Sequence, residues 1–198
     1  RKYIPDAIER GALAILAPKG TPRLENAGGV AFLMSVLARR DYALMSARYW
    51  GGQPATIAAV TGTNGKSSVV DFTRQLWGCE GRLAASLGTL GLVSPLGVEV
   101  SSLTTPDAAV LSQTLDRLVR EGIDHFIVEA SSHGLDQYRL DGVTLSIAAF
   151  TNFSRDHLDY HGSMAAYLGA KRRLFSELLP ENGVAVLNAD DQAYGGLR

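Results

Sequence analysis

Thr61-Gly-Thr-Asn-Gly-Lys-Ser67 carries the residue types needed to hold phosphate. Gly62 and Gly65 let the backbone turn tightly and approach an anion closely. Lys66 brings a positive charge, and the Ser67 hydroxyl suits a phosphate-bound Mg²⁺. Thr63, Asn64 and Ser68 complete the candidate loop. Ile57-Ala-Ala-Val60 before it suits a buried parallel strand. A helix opening near Lys66 would add free N–H groups and the positive end of its dipole. The spacing is shorter than the commonest phosphate loop, because Val60 stands where the distant glycine would be. A Gly-rich turn before a helix, with no ligand, is the plainer alternative.

Three further polar segments follow apolar runs or open a helix. Glu129-Ala-Ser-Ser-His-Gly-Leu-Asp-Gln-Tyr-Arg139 comes directly after an expected strand at 126–130, and Thr151-Asn-Phe-Ser-Arg-Asp-His-Leu-Asp-Tyr-His161 directly after one at 145–151. Leu103-Thr-Thr-Pro-Asp107 opens a helix. Ligands of open parallel sheets bind beyond the carboxyl ends of the strands, where these segments fall. Taken singly, each has a dull reading. Thr104, Thr105 and Asp107 could cap a helix. Glu129 could pair with an arginine, and His133, His157 and His161 could be ordinary histidines. Arg155, Asp156 and Asp159 could form a solvated face. Their shared position favours one site.

The elements that must carry these groups are read from periodicity and punctuation. A short helix is expected from Pro5 to Gly11, a strand from Ala12 to Ala17 and turns from Gly20 to Gly29. Val30 to Arg48 reads as one helix, with Phe32, Leu33, Val36, Leu37, Leu44 and Met45 at helical spacing. Gly51-Gly-Gln-Pro54 marks a domain boundary, separating residues 1–52 from 53–198. Beyond it, strand 56–60 precedes helix 65–77. Leu83 to Leu92 and Val98 to Leu103 are strand-like. Asp107 to Glu121 is an amphipathic helix with Val110, Leu111, Leu115, Leu118 and Val119 on one face. Helix 164–179 is stopped by Pro180, and strand 184–187 follows. Alternating strands and helices imply an α/β fold with a doubly wound, mostly parallel sheet.

The bulk properties exclude several classes. The 198 residues are 46% hydrophobic and 20% charged, as in a globular chain with a sizeable core. A net charge of −1 points to no nucleic acid or acidic membrane surface as partner. No apolar stretch is long enough to span a bilayer. Cys79 is the only cysteine, so no intrachain disulfide can form and a reducing cytoplasmic setting is the default. The chain opens at Arg1 rather than Met, and a piece of a longer polypeptide is expected. A monomer is the default.

The loop 61–67 resembles the ATP loop of the Mur ligases, the amide-bond synthetases of peptidoglycan precursor assembly. It is also similar to the loops of folylpolyglutamate synthases and cyanophycin synthetases. Leu103-Thr-Thr-Pro-Asp107, Glu129-Ala-Ser-Ser-His-Gly-Leu135 and Phe150-Thr-Asn-Phe-Ser-Arg-Asp-His-Leu-Asp-Tyr-His-Gly162 narrow the resemblance to the MurE branch. Ala170-Lys-Arg-Arg-Leu-Phe175 and Leu187-Asn-Ala-Asp-Asp191 extend it, and residues 1–50 resemble the tail of the family's uridine-binding N-terminal domain.

The resemblance implies a P-loop-type central domain and an activity. A carboxylate of UDP-MurNAc-L-Ala-D-Glu would attack the γ-phosphoryl of ATP. The amine of a third amino acid, expected to be meso-diaminopimelate with lysine as the other option, would then displace phosphate from the acyl phosphate. Lys66 would hold the β/γ phosphates. Ser67, Glu129 and His157 would belong to the Mg²⁺ site. Thr104, Thr105, Ser131, Gln137 and Arg139 would hold the muramoyl dipeptide. Lys171 matches the family's carbamylated lysine, although beside Arg172 and Arg173 it also reads as an ordinary helix lysine. The family's C-terminal domain has no counterpart in this sequence, so nucleotide binding without complete ligation is expected. Two other readings compete: a folylpolyglutamate or dihydrofolate synthase-like ligase, and a non-catalytic nucleotide-binding fragment. The first would carry an extra Gly between Lys and Ser, whereas Lys66 and Ser67 adjoin. Intact Lys66, Glu129, His157 and Lys171 weigh against the second.

Overall fold

The structure, a computed structural model, describes residues 3–22 and 29–197. Its first elements are α1 (Ile4–Glu9), β1 (Ala14–Pro18), β2 (Ala31–Ser35) and α2 (Ala38–Trp50). β1 and β2 pair in parallel, Ala14 opposite Ala31. The single helix expected over 30–48 is therefore a strand and a helix. The run Ala31-Phe-Leu-Met-Ser35 finds its partner in β1 rather than in a helical face, and Leu33, Met34, Val36 and Leu37 remain exposed. Of the expected turn segment 20–29, residues 23–28 lie outside the described residues.

The larger unit is built from β3 (Thr56–Thr61), α3 (Lys66–Cys79), β4 (Ala84–Gly88), β5 (Gly91–Ser94), β6 (Gly97–Glu99), α4 (Ala108–Arg120) and β7 (His125–Glu129). It continues with α5 (Ser132–Asp136), β8 (Ile147–Phe150), α6 (Leu158–His161), α7 (Met164–Arg173), β9 (Val184–Leu187) and α8 (Tyr194–Leu197). The sheet order is β6-β5-β4-β7-β3-β8-β9. The five strands from β4 to β9 in this order run parallel, while β5 and β6 fold back antiparallel at one edge. The single strand expected at 83–92 is thus two, β4 and β5, and of the one expected at 98–103 only Val98 and Glu99 are strand, in β6. Gly91, at φ +87°, makes the reversal after β4, and an added Cβ there would meet the Glu99 carbonyl oxygen at 2.2 Å.

Alternation along β3 sorts its side chains into two cores. Ile57 and Ala59 join Phe126, Val128, Leu111, Leu115 and Leu118 on one face of the sheet. Ala58, Val60 and Ile127 meet Val70 and Trp77 of α3 on the other. On α4 the buried stripe is Leu111, Leu115 and Leu118, whereas Val110 and Val119 are exposed. The apolar stripe is narrower than five residues suggested, and α4 also packs against α2. Asp107 caps this helix by accepting from the Ala109 N–H at 3.0 Å. The helix expected over 164–179 changes character midway: α7 ends at Arg173, and a π-helical turn, Leu174–Leu178, continues to Pro180.

Strands β3, β7 and β8 end together, at Thr61, Glu129 and Phe150. The polar segments therefore emerge side by side at one edge.

Candidate active site

The loop between β3 and α3 is held by the strand beside it. Thr151 Oγ1 donates to the Asn64 carbonyl at 2.6 Å, and the Asn152 side chain accepts from the Asn64 N–H at 2.9 Å. The Thr63 N–H donates to the Asn152 carbonyl, and Thr63 Oγ1 accepts from the Ser154 N–H at 3.0 Å. Gly62 lies against Thr151: a Cβ there would come within 1.9 Å of Thr151 Oγ1, and its φ is +149°. Gly65 precedes α3 in the left-handed region at φ +81°. Both glycines are thus required, one for space and conformation, the other for conformation. The first N–H groups of α3 have no intrahelical acceptors and face the loop's end.

A cavity of about 240 Å³ opens over this loop. Gly62, Thr63, Asn64, Gly65, Lys66 and Ser67 form its floor. Thr104, Glu129, Ser131, His157 and Lys171 stand on its walls, with Thr89, Ser132 and Tyr167. The structure brings eleven of the fifteen candidate site residues to this one cavity. Ser68 is exposed on α3 and does not line the cavity. Thr105 lies behind the wall at 1% exposure, donating to the Glu129 carbonyl at 2.7 Å and accepting from the Ser131 N–H. Gln137 and Arg139 line an adjoining cavity of about 220 Å³ with Arg39, Tyr42, Leu103 and Asp107.

Two ammonium groups converge on one carbonyl. Lys66 Nζ donates to Gly62 O at 3.0 Å and to Thr63 O at 2.9 Å. Lys171 Nζ donates to the same Gly62 O at 2.7 Å and sits 4.5 Å from the centre of the Tyr167 ring. Lys171 is 1% exposed. Burial, reinforced by the Lys66 charge, pulls its pKa down to about 7, against the opposing pull of Asp156. Burial also lowers Lys66, with Glu129 and Asp156 working the other way.

Opposite the lysines, Ser67 Oγ donates to Glu129 Oε1 at 2.8 Å, and the Thr89 N–H donates to the same oxygen at 2.8 Å. Glu129 is 2% exposed. It fits only because β4 ends in Gly88, where a Cβ would lie 2.2 Å from Glu129 Oε1. Gly88 and Thr89 are site positions that sequence reasoning missed, whereas Thr151 and Asn152 open a polar segment it had singled out. A glycine ending a strand is the signal that marks Gly88.

His157 adopts φ +51°, rare for a non-glycine residue, and its ring centre lies 5.0 Å from that of His133. His133 and His161 are each held below the usual histidine range, mainly by burial. Among the described residues, no group of three or more His, Cys, Asp or Glu side chains forms a metal cage. The hard oxygens of Ser67 and Glu129, 2.8 Å apart on the cavity wall, nevertheless suit a Mg²⁺ that takes its remaining ligands from water and phosphate.

Gln137 and Arg139 are presented by the end of α5. Tyr138 N–H donates to Leu135 O and Arg139 N–H to Gly134 O, the two bonds of a Schellman motif. The left-handed position is taken by Tyr138, at φ +60°, where glycine is usual and a side chain costs about 1 kcal/mol. Arg139 then donates to Thr105 O at 2.6 Å and to the Gln137 side chain at 2.7 Å.

Comparison with known proteins bears on the family and the fold. The model of the Mur ligase middle domain matches residues 60–198. A UDP-N-acetylmuramoyl-L-alanyl-D-glutamate--2,6-diaminopimelate ligase of Bradyrhizobium diazoefficiens is 53% identical over 192 residues, covering 96% of this chain and 38% of the relative. A solved structure of a ligase with the same name superimposes with a TM-score of 0.84 at 33% identity, over 99% of this chain and 39% of that one. A Mycobacterium tuberculosis folylpolyglutamate synthase complexed with ADP shares the fold, with a TM-score of 0.58 at 18% identity over 79% of this chain and 41% of that one. The chain thus spans about two fifths of the length of the curated relative it matches. No helix among the described residues is long and apolar enough to cross a membrane. The chain belongs to the Mur ligase family, whose middle domain it carries.

Proposed function

We propose that this chain supplies the nucleotide- and substrate-binding centre of an ATP-dependent amide-bond ligase that extends UDP-MurNAc-L-Ala-D-Glu, with meso-diaminopimelate as the added amino acid. One observation carries the reading: a buried ammonium group, a half-buried one and a serine–glutamate pair face each other across a cavity floored by a phosphate loop. The similarity to diaminopimelate ligases supplies the substrate. The folylpolyglutamate synthase likeness extends to the fold alone.

ATP would lie on the loop, its phosphates over the first turn of α3. Lys66 would turn from the Gly62 and Thr63 carbonyls to the β/γ phosphates. Ser67 and Glu129 would hold Mg²⁺, with His157 as a further group of that site; the ion would neutralise phosphate charge during attack. Thr104, Ser131, Gln137 and Arg139 would align the dipeptide, with the buried Thr105 holding Ser131 from behind. The planar Arg139 fork suits a carboxylate. Once in line, the substrate carboxylate attacks the γ-phosphoryl and ADP leaves. The incoming amine then attacks the acyl phosphate, and phosphate leaves. The protein's contribution is alignment and charge stabilisation.

Lys171 fits the family's carbamylated lysine physically. With a pKa of about 7, its amine is neutral part of the time at neutral pH. A neutral amine adds to CO₂ and releases one proton, giving a carbamate anion beside Lys66. We also propose the domain division expected from the sequence: residues 1–52 from a uridine-binding domain, 53–198 from the central domain.

Calorimetric titration of UDP-MurNAc-L-Ala-D-Glu, with Mg²⁺ and a non-hydrolysable ATP analogue present, tests the reading. Binding that weakens on Arg139→Ala sustains it. Nucleotide binding without any binding of the sugar nucleotide, in the full-length polypeptide, would refute the substrate.

A further inference from the structure

Arg173 ends α7, two residues beyond Lys171. Its guanidinium engages four different groups. Nη1 donates to the Leu135 carbonyl. Nη2 lies 3.2 Å from both oxygens of Asp141, and Nε donates to Glu177 at 2.9 Å. Its flat face covers the Tyr138 ring, 4.2 Å from the centre. The arginine side chain is 12% exposed and that of Asp141 3%. Arg40 of α2 reaches Asp141 from the other side at 3.1 Å.

Leu135, Tyr138 and Asp141 bracket the turn that presents Gln137 and Arg139. That turn has a weak point, since Tyr138 occupies a left-handed position without being glycine. The Arg173 guanidinium stacks on the ring there. The same helix brings Lys171 to the phosphate loop. We propose that Arg173 is a positioning residue, holding the Tyr138 turn in its left-handed form and so fixing Gln137 and Arg139 relative to the loop. Lysine cannot replace it, because the role uses three separate N–H directions and a planar face. The consequence for substrate rests on the function proposed above; the clamp itself does not.

A merely structural Arg173 would neutralise Asp141 and support the whole unit evenly. The two roles separate experimentally. Arg173→Met, Arg173→Lys and Tyr138→Leu are made in the full-length polypeptide. UDP-MurNAc-L-Ala-D-Glu and a non-hydrolysable ATP analogue are titrated separately, and amide hydrogen exchange is followed across 134–141. Both Arg173 variants should weaken sugar-nucleotide binding about tenfold or more, as misplaced binding groups do. ATP-analogue affinity should stay nearly unchanged, and exchange at the Arg139 amide should quicken. Tyr138→Leu, which keeps the charges, should give the same pattern more weakly, and it serves if Arg173→Met does not fold. Equal weakening of both ligands, or rescue by Arg173→Lys, would overturn the proposal. Should the unsubstituted protein not bind the sugar nucleotide, the functional reading falls and exchange decides the clamp. Faster exchange confined to 134–141 would sustain it, and unchanged exchange would end it.

Discussion

Removing the Lys171 ammonium should change how stability depends on pH. Unfolded, a lysine keeps its proton up to pH about 10.5; in the fold, burial and Lys66 pull Lys171 down to about 7. Between those values the unfolded chain binds more protons than the folded one. Stability therefore rises with pH across this window, and the cost is fully present below pH 7. A tenfold weaker hold on the proton corresponds to about 1.4 kcal/mol, so the cost is roughly 4 kcal/mol at pH 7 and roughly 2 kcal/mol at pH 9. Lys171→Met keeps the chain's length and leaves Gly62 O with its Lys66 partner. Urea unfolding of both proteins, with CO₂ excluded, measures the difference. The variant's advantage should shrink by roughly 2 kcal/mol from pH 7 to pH 9. Parallel stability curves would refute the reasoning, because they would mean that Lys171 stays charged in its buried place. Added bicarbonate should move only the unsubstituted protein.

Other substitutions probe single contacts. Gly88→Ala puts a Cβ 2.2 Å from Glu129 Oε1 and must displace that carboxylate, so Mg²⁺-dependent nucleotide affinity should fall about tenfold while Mg²⁺-free binding changes less. Calorimetry with and without Mg²⁺ reads this. Thr105→Val strips the hydroxyl that serves Glu129 O, Ser131 Oγ and Ser131 N–H, and should cost about 2 kcal/mol in urea unfolding. Leu118→Ala opens a cavity at a fully buried position between α4 and the sheet, and should cost about 3 kcal/mol by the same assay.

The site was legible where local chemistry and chain order coincide. A run such as Ile57-Ala-Ala-Val60, then Gly62, Gly65, Lys66 and Ser67, can be read without knowing any contact. The parallel sheet followed from alternating elements, and strand 184–187 fell where expected. What was missed depends on partners distant in the chain. Ala31–Ser35 shows apolar spacing that fits a helix as well as a strand, and only pairing with β1 decides. Gly88 matters because Glu129 arrives from another strand. Tyr138 takes a conformation its own chemistry disfavours, and the Arg173 that covers its ring arrives from another helix. The π-helical turn after Arg173 leaves no periodicity distinct from that of the α-helix before it.

Two lysines donating to one carbonyl is an arrangement with a direction. The Lys66 charge adds to the cost of charging the buried Lys171, and Asp156 offsets only part of it. A polyphosphate entering the cavity would supply the missing negative charge and raise the Lys171 pKa from about 7. With CO₂ excluded at pH 8, the nucleotide-free protein then carries Lys171 mainly neutral, and the bound one carries it charged. Binding must take up a proton from the buffer. Calorimetric titration of the ATP analogue in phosphate and in Tris measures this directly, since the apparent enthalpies differ by the proton count times the difference in buffer ionisation heat. Uptake approaching one proton at pH 8 should vanish at pH 6, where Lys171 is already protonated, and in Lys171→Met. Equal enthalpies in the two buffers at pH 8 would mean that the phosphates do not reach the field of Lys171. The loop would then have to bind its nucleotide in some other orientation.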